Sequence, residues 1–468
     1  MVATRWHAYR YPGPSVLDAG RGRLTLMTSG GTTPEGPHPA PWLFEGTVRH
    51  PEQFARSLLA VVDVANAHHD RRRHVPLPRD PIAGADGERL RFESLSICRG
   101  VAARLDVLPE SLSDGTVGRG STSVDLGEQH RATLTAVRDT RELRVSLGDR
   151  SAPRTPDGPV PGRGKRRVPL PERWLRTFAE LGTASAGFDL RAELSAPQAT
   201  RLIAGLTATP GYGRSVWLVP VGPALRLSAA PSPGAVHLAA PGRLAALRPL
   251  LRFATALRVY GPPVRAGSAP AVSAWELVMP GMRLVLTLSA DPRGGGLPFD
   301  APARGTLEAE RAAEDAGLVE PHLGYSSGLD LGALAGNTGL TVTRVRAAVG
   351  LLATAGRIGY DLAEAAYFHR ELPFDAVRAE RLIPRLAAAR ALVAEGQVRL
   401  DAGAGGATVA GPDHAHRVTF GADGIADDCT CHWWAEHRTS RGKCRHAIAA
   451  ELARRGALSG EPTRRVAD

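Results

Sequence analysis

Hydrophobic and polar positions change period several times along the chain, and each change marks an element. In PEQFARSLLAVVDVANAHH (51–69), Phe54, Leu58, Val61 and Val62 recur at three- and four-residue spacing behind Pro51, which predicts an amphipathic helix. Its apolar run LLAVVDVANA (58–67) is that of a buried helix, far short of the ~20 residues a membrane span needs. Alternation at every second residue predicts strands at HRATLTAVRD (130–139), ELRVSLGD (142–149), SVWLVPV (215–221), ALRLSAA (224–230), ALRVYG (256–261) and RLVLTLSA (283–290). Between them, LSAPQATRLIAGL (194–206) predicts a helix with Ser195 as N-cap and Pro197 in its first turn. GRLAALRPLLRFATAL (242–257) predicts a further helix.

These elements sort into an α+β multidomain chain. An N-terminal mixed domain (1–150) is followed by a Pro-, Gly- and Arg-rich linker or long hairpin (151–171) and a central mixed domain (172–295). A helical region covers 296–385 and a C-terminal domain 386–468. Within the helical region, segment 326–374 reads as winged-helix-like: a short helix, a glycine turn, a second helix around 341–355 ending at Gly356, then RIGYDLAEAAYFHREL as a wing. Ala335 permits close helix approach, Gly339 tolerates the turn backbone, and Val345 packs the second helix onto the first. Arg344, Arg346 and Arg357 stand where they can meet phosphates, although many winged helices dock only proteins.

Composition narrows the class without naming a partner. A chain of 468 residues, 43% hydrophobic and 22% charged, is long enough for several globular cores. The net charge of +11 invites a nucleic-acid reading, but Lys165 and Lys443 are the only lysines. An excess of Ala, Gly, Pro and Arg with almost no Lys is the mark of high-GC coding, which raises charge whatever a protein binds. MVATRWHAYRYPGP has no apolar signal core, so a cytoplasmic, reducing location is expected, where clustered thiols favour metal over disulfides.

Three of the four cysteines fall in DDCTCHWWAEHRTSRGKCRHAIAAEL (427–452). On a strand, Cys429 and Cys431 would present both sulfurs on one face, after a strand and turn through Asp423 and Gly424. Cys444 would start a helix ending at Gly456, with His446 in its first turn. Sulfur with imidazole is the ligand set of structural zinc, so one Zn²⁺ is expected on Cys429, Cys431, Cys444 and His446. A Cys429–Cys431 disulfide, an unmetallated core cluster, and His432 or His437 as fourth ligand stay open as alternatives.

Cys-x-Cys, a twelve-residue gap and Cys-x-His resembles the SWIM zinc finger, here as a ββα unit over 411–455. LRFESLSICRGVAARLDVLPE, VPLPERWLRTFAEL and LAEAAYFHRELPFD extend the likeness to SWIM-bearing proteins of actinobacteria. SWIM modules also occur in Swi/Snf-class ATPases and mutator-type transposases, and the resemblance implies binding of DNA or proteins. This chain carries no ATPase or nuclease motif: GPVPGRGKRR has its first glycine out of P-loop register, and Arg166 where Ser or Thr would hold Mg²⁺.

The expected function is therefore a non-enzymatic interaction protein that docks a partner protein. DNA binding by the same modules is the alternative. Arg438, Arg441, Lys443 and Arg445 around the metal loop, Trp433 and Trp434 beside it, and Arg344 and Arg346 are the candidate contacts. One of the two tryptophans is expected to pack over the zinc. Other candidates have plainer readings: HHDRRRH (68–74) as a solvated helix end, Cys98 as a small buried apolar residue, and YFHREL (367–372) as surface ion pairs.

Overall fold

Period-two alternation builds the dominant element, an antiparallel sheet of ten strands. In chain order these are β1 (Thr28–Thr33), β2 (Gly36–His38), β3 (Ile82–Asp86), β4 (Leu90–Leu95) and β5 (Val101–Val107). They continue with β6 (Arg119–Val124), β7 (Asp189–Ser195), β8 (Ala256–Gly261), β9 (Ser273–Met279) and β10 (Met282–Leu288). Their spatial order is β7-β8-β9-β10-β5-β4-β3-β6-β1-β2. The pairing of β5 with β10, from Val101↔Leu288 to Val107↔Met282, joins strands from either side of the 151–171 stretch into one sheet.

This computed structural model describes residues 5–18, 20–67, 77–139, 142–149, 166–208, 215–222, 224–291, 307–374, 384–401, 405–411, 414–421, 426–437 and 444–459. The chain divides into a larger unit (Met1–Phe299, Leu323–Leu329, Gly356–Ala376) and a smaller one (Asp300–His322, Asp330–Ala355, Val377–Asp468). Among the described residues, no helix is long and apolar enough to cross a membrane.

In the larger unit, one face of the sheet is apolar. Leu90, Phe92 and Leu105 pack beneath the helix α1 (Pro51–Asn66), in which Phe54, Leu58, Val61 and Val62 are buried as the periodicity requires, and Leu257, Trp275, Leu284 and Leu286 belong to the same buried core. The stretch HRATLTAVRD is helical rather than extended. It forms a short turn and α2 (Arg131–Ala136), anchored on α1 by buried Leu134 and by the Arg131–Asp63 ion pair. A third helix, α3 (Glu172–Ser185), lies against the strand Ile358–Asp361. The fourth, α4 (Ala196–Thr207), starts as expected at Ser195, whose N–H and hydroxyl donate to Gln198 Oε1. GRLAALRPLLRFATAL divides: Pro241–Phe253 is a 3₁₀ helix, and its last residues open β8. Pro249 lacks the N–H an α-helix needs, and Leu244, Leu247 and Leu250 are buried at the three-residue period of a 3₁₀ helix.

The opposite face carries charge, and that charge is buried. Arg91 pairs with Asp86 at 2.8 Å and Asp106 at 3.1 Å, and Arg104 with Asp106 at 3.0 Å. A hairpin, β11 (Ile358–Asp361) and β12 (Ala366–His369), supplies further partners. Asp361 takes Arg283 at 2.8 Å, Glu364 takes Arg89 at 2.6 Å, and Arg91 lies 3.9 Å over the ring of Phe368. YFHREL is thus not surface decoration: His369 and Arg370 are each 5% exposed, and Arg370 pairs with Glu93. Glu371 receives Arg357 at 2.6 Å and lies 3.5 Å from His369 Nε2. The hairpin neutralises strand charges that would be costly to bury alone.

The smaller unit begins with α5 (Leu307–Val319), α6 (Leu331–Thr338) and α7 (Val342–Thr354). Asp330 caps α6 by accepting from the N–H groups of Gly332 and Ala333, and Thr341 caps α7. Between them Gly339 sits in the left-handed region at φ 68°, while Val345 is fully buried and Arg344 and Arg346 face solvent. There follow α8 (Pro384–Ala394) and a four-stranded sheet in sequential order: β13 (Val398–Leu400), β14 (Gly406–Val409), β15 (His416–Phe420) and β16 (Ala426–Cys429). Two helices end the unit, α9 (His432–His437) and α10 (Arg445–Ser459). The last runs through Gly456 instead of stopping there. A helical glycine costs about 1 kcal/mol relative to alanine, and buried Ala447, Ile448, Ala449 and Ala450 hold the helix against that cost.

Two outcomes follow. An added Cβ meets nothing within 4 Å at Gly336, inside α6, or at Gly339, so backbone preference alone decides each substitution. Gly336→Ala should stabilise the smaller unit and Gly339→Ala destabilise it, each by about 1 kcal/mol in chemical denaturation. Burial opposes the charged form of Glu371, but the neighbouring His369 ring and the charge of Arg357 outweigh it and lower its pKa to about 2. That stability is complete above the unfolded carboxylate value of about 4.3 and is lost as pH falls towards the folded one. Acid titration of the fold should therefore show a component between pH about 4 and about 2 that Glu371→Gln removes.

Candidate metal centre

The ligands lie on two elements that the chain locks in register. In the β15–β16 hairpin Val418 pairs with Cys429, and the strand ends there. Thr430 holds the next step: its N–H donates to the Arg417 carbonyl at 3.0 Å, and its Oγ1 accepts from Arg417 N–H at 2.9 Å. Cys431 then stands at the start of α9, its carbonyl accepting from Ala435 N–H at 3.0 Å. The two sulfurs are therefore not on one face of a strand as expected: the strand ends at Cys429, and the chain bends at Cys431 as it enters α9. The turn expected through Asp423 and Gly424 lies outside the described residues.

Cys444 immediately precedes α10 and caps it. Its carbonyl accepts from Ile448 N–H at 3.2 Å and its Sγ from Ala447 N–H at 3.4 Å. A thiolate there faces the positive end of the helix, and His446 follows in the first turn. Glu451, further along α10, accepts from the backbone N–H of Ala426 at 2.6 Å, tying the helix to the start of β16. Sequence reasoning passed over Glu451, although its place five residues after His446 puts it further along the same short helix.

The donor atoms of Cys429, Cys431, Cys444 and His446 all lie within 4.8 Å of one another, and all four residues are buried. Two sulfurs around a tetrahedral ion stand ~3.8 Å apart, so the group is positioned to hold one metal ion. Trp434, 2% exposed, packs in the same small core with Val409, Val418, Ala447 and Ala450, while Trp433 is half-buried at its edge. His432 is exposed and outside the group.

Electrostatics describe the same fit. Burial, with the charges of His416 and Arg445, lowers the pKa of His446 to about 4, leaving a neutral imidazole at pH 7. A hydrogen bond with Cys429, then burial, raises the Cys444 thiol; burial raises Cys431. Nδ1 of His446 is buried and, among the described residues, without a hydrogen-bond partner. Buried thiols and an unpaired imidazole nitrogen are unfavourable neighbours until a cation replaces the thiol protons.

Other candidate residues separate from this group. Arg445 is exposed, its Nε 3.2 Å from His446 Nε2. Arg344 is bound through two nitrogens to buried Asp315, at 2.9 and 2.5 Å, whereas Arg346 is exposed. Arg438, Arg441 and Lys443 lie outside the described residues, as do His68, His69 and His74. Cys98 is half-buried rather than buried, its sulfur 3.5 Å from Ser96 Oγ.

No family model matches the chain, and no curated protein matches it. Among solved structures, Proliferating Cellular Nuclear Antigen from Entamoeba histolytica aligns over 53% of this chain and 98% of its own, at 8% identity and a TM-score of 0.32. A likeness at that TM-score establishes neither fold nor function.

Metal analysis of protein purified without chelators should find one tightly held ion per chain. Cys429→Ser and Cys444→Ser should each lose it and become protease-sensitive in the C-terminal region, with the larger unit still folded by circular dichroism and limited proteolysis. Retention of the ion by both variants would overturn the ligand assignment.

Proposed function

We propose that the smaller unit carries one structural Zn²⁺ in a SWIM-type finger, and that the protein is a non-enzymatic, cytoplasmic interaction protein. It docks a partner protein through the finger and through α6 and α7, read as the helix pair of a winged-helix-like module. The observation that carries the reading is the convergence of three cysteines and one histidine, buried and mutually adjacent, on a hairpin and a helix start. Soft sulfur with one imidazole selects zinc, and four protein ligands leave no position for a reacting water, so the ion is structural.

The state of Arg344 favours protein over polynucleotide. Its guanidinium holds Asp315, which is 1% exposed, so the side chain expected to meet phosphate secures α7 against α5. The hairpin β11–β12, expected as a wing, has Asp361, Phe368 and Arg370 engaged within the larger unit. Exposed Arg346 and Arg445 support the second reading, DNA binding by the same modules together with Arg438, Arg441, Lys443 and Trp433.

Zinc-loaded protein should show no appreciable affinity for duplex or single-stranded DNA at physiological salt, measured by fluorescence anisotropy. Reversing Arg438, Arg441 and Lys443 to Glu should weaken capture of the native partner with zinc retained. A steep fall of log affinity for DNA with log salt, made shallower by the same reversal, would transfer the assignment to DNA binding.

A further inference from the structure

Three imidazoles form a line from the surface of the smaller unit to the ligand group. His414 is exposed, His416 on β15 is 9% exposed, and His446 is 5% exposed. The ring centroids of His414 and His416 are 4.7 Å apart at 68°, and those of His416 and His446 are 4.2 Å apart at 34°. Alternation along β15 points His416 inward with Val418. Its Nδ1 is buried and, among the described residues, meets no hydrogen-bond partner, as is also true of Nδ1 of His446. An unpaired buried polar atom costs about 1–3 kcal/mol. If ring packing were all that was required at 416, an apolar ring would meet it without that cost.

We propose that His414 and His416 are a relay through which zinc enters and leaves the site of Cys429, Cys431, Cys444 and His446. The inference rests on the zinc reading and adds a second, transient cation site to it. Zinc binds imidazole in the ring plane at about 2.0–2.1 Å, so an ion would pass from one ring to the next, between His416 and His446 whose centroids stand 4.2 Å apart, and not be held by both at once. His414 and then His416 would each offer an imidazole nitrogen in place of a water ligand, and the thiols of Cys429, Cys431 and Cys444 would give up their protons to water as their sulfurs replace His416. No group is oxidised or reduced.

The test is zinc exchange in the full chain, followed by stopped-flow fluorescence with a zinc-sensitive chelator. His416→Phe keeps a ring against His446, and His414→Ala alters only the exposed end. Removing a stepping stone slows both directions equally: the rates of uptake and release should each fall about tenfold, with affinity within about twofold of wild type. Support of a bound ligand by a neighbour predicts instead a loss of affinity of about 10–100-fold, and that pattern would overturn the relay. Unchanged rates in both variants would also overturn it. Should His416→Phe fail to fold, His414→Ala decides between these outcomes. Wild-type protein that takes up no zinc overturns the zinc reading itself, before any variant is compared.

Discussion

Three thiols and an imidazole, nearly free of solvent, press on one another where α10 meets the β15–β16 hairpin, and the smaller unit is built around that crowding. As neutral thiols they are weak hydrogen-bonding groups that contribute little. Around a divalent cation the same atoms would cross-link two elements whose ligand pairs have twelve residues between them in the chain. In small modules structural zinc contributes about 10–16 kcal/mol, more than most small domains have in total. The surroundings keep the four ligands in register: Thr430 holds to Arg417 between two of the cysteines, Cys444 caps its own helix, and Glu451 ties α10 to Ala426. Each is a short-range contact, and together they set the positions of all four ligands.

The larger unit solves the burial of polar groups in another way. Its sheet covers one face with Leu, Val, Phe and Trp, and the other with side chains of alternating sign that satisfy one another. Asp106 and Asp361 are fully buried, each facing two or more arginines. This changes what the net charge of +11 means. Arg91, Arg104, Arg283 and Arg370 are buried and engaged with carboxylates rather than offered to a partner, and Arg344 in the smaller unit, though half exposed, is paired with Asp315. A count of basic residues therefore overstates the cationic surface.

What was legible in the sequence was what depends on near neighbours. Cys-x-Cys and Cys-x-His are pairs at one or two residues' reach, Ser195 and Gln198 close a capping box within one turn, and Gly339 is required by its own backbone angle. Of the ten strands in the large sheet, alternation marked only β8 and β10, and it left open whether a polar position faces water or another strand's charge, so the partners of Arg91 and Arg370 were invisible. The β5–β10 pairing joins residues about 180 apart, and no local pattern selects one edge over another. HRATLTAVRD alternates as a strand does, yet it finds no strand to pair with and settles as a turn of helix held by Leu134. His416 was hidden for a related reason: on β15 it reads as one inward residue, and only folding sets it against His446.

The surface of the smaller unit bears on which kind of partner it meets. Val342 in the first turn of α7 is 44% exposed and Leu318 near the end of α5 is 45% exposed, while Trp433 is half-buried beside the ligand group. Phosphate oxygens gain nothing from an exposed valine or leucine; affinity for a nucleic-acid backbone comes from cations and donors. A protein partner uses such groups, because the centre of a protein–protein interface is apolar and aromatic with charge at the rim. Arg346 and Arg445 supply exposed charge of that rim kind. With Arg344 paired to Asp315 at the surface, the exposed apolar side chains support protein docking more than they support a phosphate-binding track.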